Sequence, residues 1–197
     1  MEGDIDEAVA RRLVAHVGAH ISVIHVKHGK EPLLSKLAGY NAAARHAPWL
    51  VLLDLDHDAD CAPAYVEQCV IDPAHGLCFR VAVRTIEAWL LGDRERIARF
   101  LSVPLSRVPG DPEGLPDPKA AMVELARDSR RRDVRDDMVP RAGSGRRVGP
   151  AYNSRLIEFA GSSWRLGAAM ASSPSLRRSV VALRGFAARQ RAVAAAT

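Results

Sequence analysis

The chain has 197 residues, is 48% hydrophobic and carries a formal net charge of +5. That length suits one α/β core of ordinary size with a modest extension and excludes two large domains. No window approaches the roughly 18 unbroken apolar residues of a membrane span, and Met1-Glu2-Gly3-Asp4 lacks the basic and apolar regions of a secretory signal, so a cytoplasmic protein without membrane contact is expected.

Charge is unevenly distributed. Residues 1 to 98 hold 10 Lys/Arg against 14 Asp/Glu, and residues 99 to 197 hold 18 against 9. An acidic, cation-collecting half joined to a basic half suits work on a polyanion; an Arg-rich solvated helical surface is the plainer account. Cys61, Cys69 and Cys78 are odd in number and lack C-x-x-C spacing, so they are expected as buried packing residues. The histidines show no H-E-x-x-H arrangement.

Taken in order, Asp4 and Asp6 are placed to cap a helix over about 6 to 17, whose apolar positions Val9, Leu13, Val14 and Val17 recur at helical spacing. The β-branched run Ile21 to Val26 predicts a strand, followed through Gly29 and Lys30 by a helix from Pro32 to about His46. Trp49 to Leu55 is continuously apolar up to its first acid, the pattern of a strand buried on both faces of a parallel sheet. A short helix over Pro63 to Val70, a strand over Leu77 to Val83 and a helical stretch over Thr85 to Leu101, broken near Gly92-Asp93, complete the expected core.

Ser102 to Pro118 is Pro/Gly-rich and reads as loop. A helix follows over Lys119 to Asp128, then a second loop over Pro140 to Pro150, then helices near Tyr152 to Ala160, Trp164 to Met170 and Ser175 to Arg191, with Ala192 to Thr197 frayed. The division expected is an α/β core over 1 to 101 and a basic loop-and-helix extension over 102 to 197 packed on it.

Ligands of open parallel sheets bind beyond the carboxyl ends of the strands. Two acidic clusters are expected there: Glu2-Gly3-Asp4-Ile5-Asp6 and Asp54-Leu55-Asp56-His57-Asp58-Ala59-Asp60. Mg²⁺, or Mn²⁺ in its place, takes hard oxygen ligands, and period-two alternation puts Asp54 and Asp56 on one side while the strand persists, with Leu55 turned to the packing. Asp58 is a further candidate ligand. Solvated loop carboxylates and helix caps are the plainer account.

The pattern E-G-x-x-D-E, a βα unit and then an apolar strand ending in D-x-D resembles the Toprim domain shared by topoisomerases, bacterial primases and the overcoming-lysogenization-defect nucleases, over roughly residues 1 to 85. The resemblance implies a Toprim/Rossmann-like parallel sheet flanked by helices. It also implies that Glu2 acts as general acid or base and that Asp54 and Asp56 hold Mg²⁺. The run Arg80 to Asp93, the step Asp117-Pro118-Lys119 and Ser173-Pro174-Ser175-Leu176 look like small stand-alone Toprim-like proteins, some relatives of which are linked to phage defence. In that family an apolar strand precedes the Glu-Gly, whereas here Met1 stands directly before Glu2, so the first strand reads as truncated.

Other residues point the same way or have plainer readings. Glu87 is placed either as a further ligand of the acidic cluster or as the ion-pair partner of Arg84, itself a candidate phosphate contact. Arg80, inside an apolar strand, calls for a carboxylate partner. Lys119 at a helix start and Arg141, Arg146 and Arg147 on a Gly/Ser loop are candidate phosphate contacts, against simple capping and a flexible surface loop. Trp89, Ile86, Leu90 and Ile97 share a helical face and read as core.

The function expected is a Mg²⁺-dependent nuclease or nucleotidyl transferase/hydrolase acting on nucleic acid or nucleotides. Two alternatives stand beside it: a non-catalytic metal- or nucleic-acid-binding module, and a haloacid-dehalogenase-like phosphatase, whose motif is also an apolar strand then Asp-x-Asp.

Overall fold

The structure is a computed structural model that describes residues 1 to 195, with side chains through residue 192. It is α/β and 54% helical, with a single two-stranded parallel sheet that does not close. Among the described residues no helix is long and apolar enough to cross a membrane. The chain forms two compact units, one of residues 1 to 83 with 175 to 197, the other of residues 84 to 174.

In the first unit, β1 (Trp49–Asp54) and β2 (Leu77–Ala82) pair in parallel, Val51 opposite Phe79 and Leu53 opposite Val81. A parallel pair needs a crossover, supplied here by α4 (Ala62–Cys69). Leu52 and Leu53, on opposite faces of β1, are both fully buried, as the unbroken apolar run requires. One face packs Val51, Leu53, Phe79 and Val81 against Leu33, Leu37 and Tyr65 from α2 (Lys30–Leu34), α3 (Leu37–Ala43) and α4. On the other face of β2, Arg80 Nε donates to Ser179 Oγ (3.4 Å) of α11 (Pro174–Ala195). Ser175 Oγ of α11 accepts from Val83 N–H at the end of β2 (3.3 Å). Arg191 of α11 also reaches Val17 O, just past α1 (Asp4–His16).

Four expectations change here. Helix α1 begins at Asp4, and Asp6, instead of preceding the helix, turns back to accept from Gly3 N–H (3.1 Å). Residues 21 to 26 form no strand: among the described residues the backbone hydrogen bonds at this segment run to Met1 and Glu2, with Met1 N donating to His25 O, and Lys27 N–H and Gly29 N–H donating to Met1 O and Glu2 O. Ladder bonds over so few residues leave Val23 70% exposed. The helix expected from Pro32 to His46 is divided at Ser35 and Lys36 into α2 and α3. Finally, α11 is continuous through Ala195 where fraying was expected from Ala192, and residues 196 and 197 lie outside the described residues.

The second unit is helical: α5 (Ile86–Leu91), α6 (Arg94–Leu101), α7 (Pro118–Arg127), α8 (Arg132–Met138), α9 (Tyr152–Ser162) and α10 (Leu166–Ser172), with a 3-10 turn at Leu105–Arg107. Trp89, Leu90, Ile97, Met122, Phe159 and Trp164 form its interior, and Trp164 Nε1 donates to Trp89 O (3.2 Å). Gly92 separates α5 from α6 where α10 comes close; a Cβ there would lie 2.9 Å from Ala169 O.

Asp93 holds this corner. It is 1% exposed, caps α6 by accepting from Arg96 N–H (3.4 Å), and receives Arg165 three times: N–H at 2.8 Å, Nε at 3.0 Å and Nη2 at 2.6 Å. Arg165 Nη2 also donates to Glu95 (3.0 Å). Asp93→Ala removes both the cap and the acceptor, so a loss of at least about 1 kcal/mol from the cap alone is expected, with a smaller loss for Asp93→Asn, read by urea unfolding.

Candidate functional site

The acidic site forms at the carboxyl end of β1. Glu2 Oε1 accepts from Asp54 N–H at 2.8 Å, joining residues 52 apart in sequence. Strand β1 stops at Asp54, and Asp56 has φ of 51°, a left-handed conformation that Asp tolerates better than most residues. The expected strand alternation therefore does not reach Asp56; a turn places it instead, while Leu55 is packed away at 1% exposure as expected.

Lys30, at the start of α2, enters this loop. Its Nζ lies 2.6 Å from Asp56 Oδ2 and 2.7 Å from Asp58 Oδ2, and donates to Leu55 O at 3.3 Å. Tyr65 OH donates to Asp58 Oδ2 (3.3 Å). Lys30 thus pairs with Asp56 and Asp58 in the loop where Glu2 meets the backbone of Asp54. Burial pushes the Glu2 carboxyl above its usual range, helped by Asp56 and opposed by the Asp54 N–H and by Lys30. The bond from Lys30 holds Asp58 below its usual range. For Lys30 itself burial is the largest single influence and acts downward, yet its bonds to Asp56 and Asp58 leave the ammonium raised.

Hard carboxylate oxygens fit a divalent cation in kind: Glu2, Asp54, Asp56 and Asp58 are the residues that would hold it. Among the described residues no three His, Cys, Asp or Glu side chains are already gathered as a ligand cluster, and Lys30 is the counter-ion of the loop. A divalent ion on Asp56 and Asp58 would have to exchange with that ammonium.

The remaining candidates belong to the second unit. Arg84 stands in the bend before α5. Glu87, 1% exposed in α5, accepts from Tyr152 OH at 3.2 Å and lies 3.6 Å from Lys119 Nζ, all through Oε1, while Oε2 is buried with no hydrogen-bond partner. Its neighbours on α9 and α7 come from distant sequence, and of the two Lys119 was expected as a phosphate contact. Burial, with Glu87 beside it, drives the Tyr152 phenol well above its usual range, so it stays a donor.

Lys119 is thus a counter-ion to a buried acid. Asp117 caps α7 through Ala120 N–H (2.9 Å) and pairs with Arg147. Arg146 is exposed on the same loop as Arg147, where Gly143 and Gly145 take positive φ. Cys61, expected buried, is exposed. Sequence reasoning missed Lys30, Tyr65 and Tyr152. The Gly29-Lys30 step at a helix start was the available signal for the first, and the two tyrosines gave none.

No family model, no curated protein and no solved structure matches the chain.

Two outcomes follow from these electrostatics. A carboxyl with a raised folded-state pKa binds its proton more tightly folded than unfolded, so its ionisation lowers stability as pH rises from the ordinary value of 4.5 through the raised one. Glu2→Gln keeps an acceptor for Asp54 N–H and removes that penalty. Its melting temperature relative to wild type should therefore rise from about pH 4 to pH 7 and level off above the folded pKa. In the second unit, Tyr152→Phe leaves a buried carboxylate short of a donor. A loss of about 1.5–3 kcal/mol is expected by chemical denaturation, shrinking in the Glu87→Gln background.

Proposed function

We propose that the first unit is a Mg²⁺-dependent phosphoryl-transfer enzyme on a Toprim/Rossmann-like sheet, a nuclease or nucleotidyl transferase/hydrolase acting on nucleic acid or nucleotides. The observation that carries this reading is the 2.8 Å bond from Asp54 N–H to Glu2, which brings the Glu of the E-G pattern to the D-x-D at the carboxyl end of a buried parallel strand. Mg²⁺ or Mn²⁺, when bound, supplies charge neutralisation for phosphoryl oxygens.

The protein's own groups have separable roles. Glu2, half-buried and raised in pKa, holds a proton closer to neutral pH than an exposed carboxylate does, which suits a general acid or base. Its bond to a backbone N–H fixes the carboxyl through Oε1. Asp54 and Asp56 are the metal carboxylates, with Asp58 as the residue that returns Lys30 to the loop. Lys30, released from Asp56, is a donor for a phosphoryl oxygen at the same loop.

A second reading, a non-catalytic module binding metal or nucleic acid, is favoured by one observation: Lys30 already answers Asp56 and Asp58 within the chain.

Labelled DNA, RNA and nucleotides incubated with Mg²⁺, Mn²⁺ or EDTA separate the two. The enzyme reading expects divalent-dependent turnover that falls by roughly a hundredfold or more in Asp56→Asn with the melting curve retained. Undiminished turnover in that variant rejects it, and EDTA-resistant binding with no turnover under either ion favours the second reading.

A further inference from the structure

Away from the acidic loop, at the opposite end of β2, a cavity of about 360 Å³ opens between α4, β2 and α11, near the small end of ordinary ligand sites. Its apolar walls include Val70, Phe79 and Phe186, and Ile71 at its margin is 94% exposed, an unusual position for a large aliphatic side chain. Two guanidinium groups complete it, Arg80 from the strand and Arg189 from α11.

Arg80 is the decisive residue. A strand arginine that is largely withdrawn from water calls for a carboxylate, and the sequence led us to expect one. Its bond within the chain is instead to a neutral hydroxyl, Ser179 Oγ at 3.4 Å. Among the described residues neither Arg80 nor Arg189 has a carboxylate within 4.0 Å, although Glu67 stands at the exposed rim of the same cavity. The neighbouring charges make the deficit larger: burial first, and then Arg178, hold the Arg80 guanidinium below its usual range. Cys78, pushed up to about 11 by burial, stays a neutral thiol and offers no anion.

A concave site with apolar walls and uncompensated guanidinium donors has a definite complement. We propose that this cavity binds a small organic oxyanion, with a carboxylate or phosphate head on Arg80 and Arg189 and a compact apolar body against Val70, Phe79 and Phe186. The head supplies the missing charge-assisted hydrogen bonds, and the body covers the apolar wall that Ile71 leaves open to water. Inorganic phosphate would satisfy the first requirement and not the second. The site is separate from the acidic loop and does not depend on what that loop does.

The full chain titrated with 8-anilino-1-naphthalenesulfonate, an aromatic sulfonate that fluoresces in apolar surroundings, tests the proposal. Saturable one-to-one binding is expected, weakened about tenfold or more in Arg80→Gln and in Arg189→Gln, with circular dichroism and melting recorded for each variant. Phenyl phosphate and phenylacetate serve as competitors that identify the preferred head, with inorganic phosphate and benzyl alcohol expected to compete far less. Absence of saturable binding, equal affinity in the variants, or equal competition by benzyl alcohol overturns the proposal. Should Arg80→Gln not fold, Arg189→Gln, on an exposed position of α11, decides the matter alone.

Discussion

The parallel pairing of β1 with β2 is the constraint on which the first unit depends. Two parallel strands present two apolar faces and cannot be joined by a hairpin, so the chain must both cross over and cover each face with helix. Helix α4 is the crossover, α2 and α3 join it on one face, and α11 returns from the far end of the sequence to meet the other through Arg80 and Val83. The same pairing ends β1 at Asp54 and delivers Asp54, Asp56 and Asp58 to the carboxyl end of the strand, where Glu2 joins them. Acidic loop and anion-lacking cavity are therefore two consequences of one sheet: the first lies where β1 ends, the second where β2 begins.

What could be read from the sequence follows how locally each element is determined. Strand β1 was legible because five apolar residues in a row, Trp49 to Leu53, admit few other solutions, and the break between α5 and α6 because Gly92-Asp93 combines a residue without Cβ and a cap. Helix α8 was not legible: only Val134 and Met138 of its seven residues are buried, and the rest are charged. Residues 21 to 26 misled because β-branched composition reports suitability for a ladder, whereas a strand also needs a neighbour, and among the described residues the hydrogen-bonded backbone there is that of Met1 and Glu2.

The candidate site divides along the same line. Asp54 and Asp56 were legible as a motif, and their convergence with Glu2 appears in the Asp54 N–H bond. The turn at Asp56 was not legible, since alternation holds only while the strand lasts. Nor was Lys30, whose partners lie 26 and 28 residues away and are chosen by the fold. The Glu87, Tyr152 and Lys119 cluster spans three helices, so no spacing rule could have assembled it.

Compensation of charge separates ordinary structure from candidate function in this chain. Asp93 is fully answered by the α6 N-terminus and by Arg165, and that completeness marks it as a structural corner. Glu87 is answered on one oxygen and bare on the other, which leaves a buried acceptor whose cost the surrounding apolar packing must offset. In the acidic loop one ammonium, Lys30, pairs with both Asp56 and Asp58. Arg80 is the converse case, a half-buried guanidinium whose hydrogen bond among the described residues is to a hydroxyl. A charge withdrawn from water carries a desolvation cost unless it is paired, and the acidic loop and Arg80 lie at opposite ends of one sheet. On the readings proposed above, a cation would complete the first and an oxyanion the second, so the two sites would differ in the chemistry they call for as well as in position.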